Sequence, residues 1–310
     1  MKSPIFIVGL PRTGSTLWHN IFGRNINLCR IGEMHYLTPV KKDFRYFIKH
    51  TVGNLSDDDN VRKMFELIFS KEKFKGITEA FWEYDIGKIQ GETLKEMMIA
   101  EVIKSDRSVE SIFKIIIEQF VIYKERQRGC IKFPVYVNLI PRLVKWYPDC
   151  KIVHIIRDPR AIAVSRKNDP AGTAKKVRKY PYLSYFIRWI MVLYVSGQYM
   201  WSSRLHLSYR KKYANYKLFK YEDLLVNPEK TIHNLCEFTA VEFQEDMLNP
   251  GEGQASSITK EKKEGFDKSA AFRWMKHIKG SEKRIVTCLT RRSMSRFDYH
   301  PEKYLDLSDS

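Results

Sequence analysis

Acidic residues are in short supply in this chain. Its 310 residues hold 36 Asp and Glu against 54 Lys and Arg, a formal charge of +18. That deficit points to a polyanionic ligand, an acidic acceptor, or a nucleic-acid or membrane surface, and it leaves the fold open. Cysteine is scarce as well. Cys29, Cys130, Cys150, Cys236 and Cys288 are odd in number, scattered and never in C-x-x-C. This argues against a disulfide framework and a zinc site, and it fits a reducing, cytoplasmic compartment. No internal repeat or low-complexity tract is visible. No signal peptide is expected, because Ile5 already begins an apolar strand. Long uncharged apolar runs are missing, with one near exception. Residues 182–201, YLSYFIRWIMVLYVSGQYMW, approach the length of a membrane span and carry a single charge, Arg188. The central arginine and the Ser, Gly and Gln content favour a buried helix of a large domain. A membrane-associated helix near a lipid acceptor is the lesser alternative.

With 44% hydrophobic residues the chain can fill a sizeable core. Residues 5–10 are a short run rich in Ile and Val. Gly9, Pro11 and Gly14 punctuate its end, and Ser15 can cap a helix to about Phe22. Residues 151–156, KIVHII, read as a second buried strand with a helix opening near Pro159, and 217–221, KLFKY, as a third. Asn227-Pro228 opens another helix. Ser56 and three aspartates start a helix over about 56–71, with Val61, Phe65 and Ile68 on one face. Asp106 and Ser108 precede the 3.6-residue period of Val109, Ile112, Phe113, Ile116 and Phe120. Strands alternating with helices predict an α/β fold, a central parallel sheet covered on both faces. The expected organisation is one domain over residues 1–310. It has a mainly helical layer at about 40–128, which would shape part of an acceptor pocket, and a mobile loop at about 251–268.

The segment IFIVGLPRTGST, residues 5–16, has the strand–loop–helix context of a phosphate-gripping loop. Gly9 and Gly14 are spaced as in G-x-x-x-x-G-K-[ST], but Ser15 holds the place of the lysine. Backbone N–H groups and the helix start can cradle an anion, with Arg12, Thr13, Ser15 and Thr16 adding side-chain donors. Nothing nearby is suited to hold Mg²⁺ on a γ-phosphate. A second motif, IIRDPRAIAVSR, puts Arg157 at the carboxyl end of a strand and Ser165 eight positions on. Such a pair can grip another phosphate, and ligands of open α/β sheets sit at this edge. Together the two motifs describe one ligand with two separated anionic ends.

The first motif resembles the 5′-phosphosulfate loop of sulfotransferases that use 3′-phosphoadenosine 5′-phosphosulfate (PAPS), and RDPRAIAVS resembles that family's 3′-phosphate motif. IKFPVYVNLIPRLVKWYPDCKIVHIIRDPR is similar to its K-x-P segment, KYEDLLVNPEKT to its Y-E-x-L…P segment and FRWMKHI to its C-terminal R-W segment. The likeness runs from residue 5 to about 278 and is strongest for the bacterial and tyrosylprotein types. The histidine of the cytosolic small-molecule type's K-T-H-x-P is absent, since Lys132-Phe133-Pro134 occupies that region. The resemblance implies a P-loop-like sulfotransferase fold. It implies sulfuryl transfer from PAPS, without a metal, to a hydroxyl (or an amine). The donor would be held by Arg12, Thr13, Gly14, Ser15, Thr16, Arg157, Ser165, Tyr221 and Arg273, although the spacing around Ser269 departs from the usual pattern. Arg12 and Lys132 are the catalytic cations, Lys132 being the lysine of K-x-P. The acceptor's proton needs a base, and GEMHYL offers Glu33 and His35. Glu33, 21 positions after Arg12, has the spacing of the tyrosylprotein-type glutamate, whereas histidine starts nearer neutrality. His154 reads as a satisfied core histidine and Trp274 as core.

The acceptor stays open among glycan, lipid, small metabolite and peptide. It could be acidic, given the basic runs AKKVRKY and Arg210-Lys211-Lys212. The runner-up activity is a P-loop kinase or NTPase, against which Ser15 speaks. A nucleic-acid-binding protein rests on charge alone, with no binding motif, so no nucleic-acid partner is expected.

Overall fold

The computed structural model describes residues 2–32, 44–69, 91–134, 136–169, 173–251 and 265–299. Five strands, β1 (Ile5–Gly9), β2 (Leu28–Ile31), β3 (Arg128–Pro134), β4 (Lys151–Ile156) and β5 (Tyr216–Lys220), form one sheet in the order β2-β3-β1-β4-β5. Every pairing is parallel, with Gly9 level with Pro134 on one side and Ile155 on the other. The chain leaves central β1 for one side of the sheet, then crosses to β4 and β5 on the other. The carboxyl end of β1 is therefore a topological switch point, where a ligand crevice opens.

Alternation along the strands sorts the core into two layers. Phe6, Val8, Ile31, Ile131, Phe133 and Ile152 face one side. That side is covered by α2 (Phe44–Phe47), α3 (Asp58–Phe69), α4 (Gly91–Lys104), α5 (Val109–Tyr123) and α6 (Ile140–Trp146). Phe113 of α5 is fully buried, its ring 5.2 Å from Trp146 and 6.1 Å from Phe133. Ile5, Ile7, Leu28, Cys130, Val153, Ile155 and Phe219 face the other side. There they meet α1 (Ser15–Gly23), α10 (Tyr221–Val226) and α11 (Pro228–Thr239). A third cluster joins α7 (Pro159–Lys167), the long α9 (Ser184–Lys212) and α14 (Gly280–Ser295), with Ile162, Val192, Val195, Tyr199 and Val286 at its centre. The short helices α8 (Thr173–Lys179), α12 (Ser269–Phe272) and α13 (Trp274–His277) complete the set.

The α/β architecture with a parallel sheet is as expected, and the local signals explain most of it. Ser108 caps α5 by accepting from the Ser111 N–H at 3.1 Å. Asp158 caps α7, with Pro159 in the first turn. Three details differ from the sequence reading. The third strand ends at Lys220, and Tyr221 opens the next helix. The α1 cap is Gly14, which offers no side chain, so Ser15 lies inside the helix. Asp57, rather than Ser56, receives a backbone N–H at the start of α3, from Asp59 at 3.0 Å. A larger correction concerns residues 182–201. They lie in the last turn before α9 and within it, and one face is buried while the other is exposed. A helix apolar all round reads as buried; here only the Met191, Val192, Val195 and Tyr199 side enters the core. The proposed mobile loop falls largely on residues 252–264, outside the described residues.

Candidate functional site

The turn after β1 is fixed by close packing. A Cβ on Gly9 would lie 2.7 Å from the Ile155 carbonyl oxygen and 2.9 Å from Thr13 Oγ1, so the first glycine lets β1 pass under the loop. The Thr13 N–H and hydroxyl both donate to the Leu10 carbonyl, at 3.2 and 2.7 Å. Arg12 has φ 75° and Gly14 φ 87°, left-handed geometry that costs a non-glycine residue free energy and that recurs at functional turns. A Cβ on Gly14 would lie 2.3 Å from the Tyr221 ring. The α1 N-terminus follows with no side-chain cap. This combination, left-handed residues leading into a helix start, is suited to an anion.

Two cations reach the turn from neighbouring strands. Lys132, 4% exposed within β3, donates from Nζ to Thr16 Oγ1 at 3.0 Å. The positive charge absent from position 15 thus arrives from the next strand. Behind it His19 stays neutral, its pKa lowered to about 3, chiefly by burial and then by the charges of Lys132 and Arg30. Arg157, just past β4, donates from Nη1 to the Arg12 carbonyl at 3.1 Å and from Nη2 to the Ala270 carbonyl at 3.0 Å. Its guanidinium carbon lies 4.3 Å from the Tyr221 ring centroid, and its buried Nε has no partner among the described residues. Arg12 reaches across in turn, donating from Nε to Ser165 Oγ at 3.0 Å. The two anion grips read from the sequence therefore meet at one edge of the sheet.

Arg273 is ion-paired with Asp267 and donates to Ser269 Oγ at 2.9 Å, in the segment whose Ala270 carbonyl Arg157 holds. Burial raises the Tyr221 pKa, and the charge of Arg157 opposes it, with a smaller contribution from Arg273. Glu33 and His35 lie outside the described residues. His154 is a core histidine as expected: Nδ1 hydrogen-bonds the Tyr216 hydroxyl and Nε2 pairs with Ser202 Oγ at 3.4 Å. Trp274 is likewise buried.

Sequence reading missed the buried polar layer that follows Arg157. Arg160 is fully buried, with Nε 2.9 Å and Nη2 2.5 Å from the two Asp158 oxygens and its guanidinium carbon 4.4 Å from the Trp274 ring centroid. Glu222 accepts from the Asp158 N–H at 3.0 Å and from the Tyr299 hydroxyl at 2.8 Å. Burial, and secondarily the Asp158 carboxylate, push the Glu222 pKa up to about 7 against the pull of that N–H and of Arg157. The motifs RDPR and YED contained both residues, but a buried ion pair gives no signal in one sequence. Among the described residues no group of three or more His, Cys, Asp or Glu side chains could hold a metal ion.

A parallel sheet with a cationic loop at its carboxyl edge defines a P-loop-like α/β fold. The sulfotransferase family model matches residues 4–245, and the chain belongs to that family. Among solved structures, the sulfotransferase domain of the Synechococcus PCC 7002 olefin synthase has a TM-score of 0.58 at 18% identity, covering 97% of both chains. The sulfotransferase domain of the curacin biosynthetic pathway has a TM-score of 0.55 at 17% identity, covering 93% of this chain and 97% of that one. At these identities the likeness speaks for the fold. An uncharacterized protein of Aquifex aeolicus (strain VF5) is 21% identical over 286 residues, which are 90% of this chain and 31% of the relative's own length. The family expected from the motifs is borne out, and the kinase and nucleic-acid alternatives gain nothing from these comparisons.

Proposed function

We propose that this chain transfers a sulfuryl group from PAPS to an acceptor hydroxyl. The observation that carries the reading is the convergence of Lys132 and Arg157 on the Gly9–Thr16 turn, whose own Arg12 reaches Ser165, within a sulfotransferase-family chain. The α1 N-terminus and the turn would take the donor's 5′ anionic end, with Thr13, Gly14, Ser15 and Thr16 around it. Arg157, Ser165 and Arg273 would take the 3′-phosphate, against Tyr221. The unpartnered Nε of Arg157 is a donor such an anion could use.

In the reaction the acceptor oxygen forms a bond to sulfur as the bond from sulfur to the bridging phosphate oxygen breaks. The electron pair leaves with 3′,5′-diphosphoadenosine, and the acceptor proton passes to Glu33 or His35. Lys132 and Arg12 stabilise the charge growing on the leaving oxygen and the sulfuryl oxygens. The dispersed cysteines fit a cytoplasmic setting. The acceptor stays open among glycan, lipid, small metabolite and peptide hydroxyls, and the +18 charge suits an acidic one.

Calorimetry with 3′,5′-diphosphoadenosine tests the donor site, and an acceptor screen with labelled PAPS tests the reaction. Arg157→Ala should weaken nucleotide binding by about 10²-fold, the worth of a charge-assisted contact. Glu33→Ala should cut turnover with nucleotide affinity kept, and loss of that affinity would remove Glu33 as the base. Absence of any nucleotide binding by the native chain would overturn the proposal.

A further inference from the structure

Helix α9 buries one apolar face and exposes another. Tyr182 is 79% exposed, Tyr185 75%, Phe186 62%, Ile190 51%, Leu193 54% and Trp201 41%. Phe186, Ile190 and Leu193 follow four- and three-residue steps, Tyr185 lies beside Phe186, and Trp201 lies two four-residue steps beyond Leu193, so from Tyr185 to Trp201 they mark a stripe along one side of the helix over about 24 Å. Contiguous exposed apolar surface of this kind marks an interaction site. Its composition narrows the partner. Tyr, Trp and long aliphatic side chains together are the residues that settle at a membrane–water boundary.

Charge narrows it further. Residues 170–221 contain eleven Lys and Arg and no Asp or Glu. Lys175, Lys176, Arg178 and Lys179 of α8, immediately before the stripe, are all exposed, as is Arg204 beyond it. A second copy of this chain fits poorly. Laying two stripes together in either direction sets one basic segment against another. An anionic lipid surface matches both features, with apolar side chains entering the headgroup boundary and cations meeting the phosphates. Among the described residues no helix is long and apolar enough to cross a membrane, so the contact would lie on the surface. The stripe also borders the transfer site. Tyr194 accepts from Gln198 at 2.9 Å, and Gln198 accepts from Arg166 at 3.4 Å, next to the Ser165 that Arg12 holds.

We infer that the chain docks on anionic lipid membranes through the α8–α9 face, with the Tyr182–Trp201 stripe immersed. The inference does not depend on the transfer reaction. The test is cosedimentation of the native chain with phosphatidylcholine vesicles, and with vesicles that also contain phosphatidylglycerol. Binding is expected only to the second kind, weakened by salt. Phe186→Ser/Ile190→Ser/Leu193→Ser and Lys175→Glu/Lys176→Glu/Lys179→Glu should each reduce partitioning by at least about tenfold, with an unchanged far-ultraviolet circular dichroism spectrum and urea midpoint as the control for folding. Brominated phospholipid should quench the native tryptophan emission, and Trp201→Phe should lose much of that quenching. Three results would overturn the inference. One is no binding of the native chain to anionic vesicles. Another is binding that survives the stripe substitutions, which would leave a soluble polyanion as the fitting partner. The third is a concentration-dependent dimer that the stripe substitutions dissolve.

Discussion

Lys132 brings a positive charge into a strand whose neighbours are buried, and only a polar partner makes that tenable. Thr16 supplies one at 3.0 Å, on the first turn of the helix that would face the donor. The placement gives the lysine two separable roles: it braces the loop, and it offers charge to a leaving phosphate oxygen. Lys132→Met keeps much of the aliphatic stem and removes the charge. If the second role holds, single-turnover measurement of sulfuryl transfer should show a fall of about 10²–10³-fold, the usual worth of one preorganised donor, while affinity for 3′,5′-diphosphoadenosine changes far less. Lys132→Arg should rescue poorly, since a planar fork cannot replace a compact ammonium at Thr16. Equal losses in both measurements would assign Lys132 to bracing alone.

Helix α7 shows how one short element carries a buried ion pair beside an arginine of the candidate site. Asp158 caps the helix through the Arg160 N–H at 2.8 Å, and its carboxylate pairs with the Arg160 side chain, which Trp274 of α13 covers. Arg157 immediately precedes this clamp, and its own guanidinium is held by the Arg12 and Ala270 carbonyls. Removing one partner of a buried pair typically costs about 3–5 kcal/mol, because the other charge is stranded. Arg160→Met should therefore destabilise strongly in urea unfolding. Asp158→Asn/Arg160→Met should recover much of the loss, and a double variant no better than the single would refute the account. The same element shows what one sequence can disclose. KIVHII followed by Asp158-Pro159 announces strand and helix, because apolar runs and caps are local. The strands LCRI and RGCIKFP gave no such announcement, being short or interrupted by Arg30 and Lys132, residues placed by tertiary contacts. Tyr221 slid from strand to helix because KLFKY carries no stop signal. The outer face of α9 read as core because a single sequence records apolarity without showing what covers it.

At the scale of the whole molecule, buried titratable groups set how stability follows pH, and they pull in opposite directions. His19 and His154 have pKa values lowered to about 3 and His206 to about 4, each mainly by burial, from an ordinary 6.5. On unfolding they take up protons below pH 6.5, so their contribution is present above that value and is lost as pH falls toward 4. Glu222 runs the other way. Its pKa of about 7, against 4.5 unfolded, means that the native state holds the extra proton, so stability declines as pH rises from 4.5 through 7. Near pH 5 the three histidines outweigh Glu222 by about two protons, a slope of about 3 kcal/mol per pH unit that Glu118, its pKa also raised by burial, lessens. Stability of the native chain should accordingly climb steeply between about pH 4 and 6.5 and level off near neutrality. Glu222→Gln removes the opposing group, so its climb from about pH 4.5 to 8 should exceed that of the native chain by up to about 3 kcal/mol. Urea midpoints across that range decide the matter. Parallel curves for the two proteins would mean that Glu222 ionises as an ordinary carboxylate. The layer beneath Arg157 would then carry a full negative charge at neutral pH, and the donor site above it would be less cationic than the geometry implies.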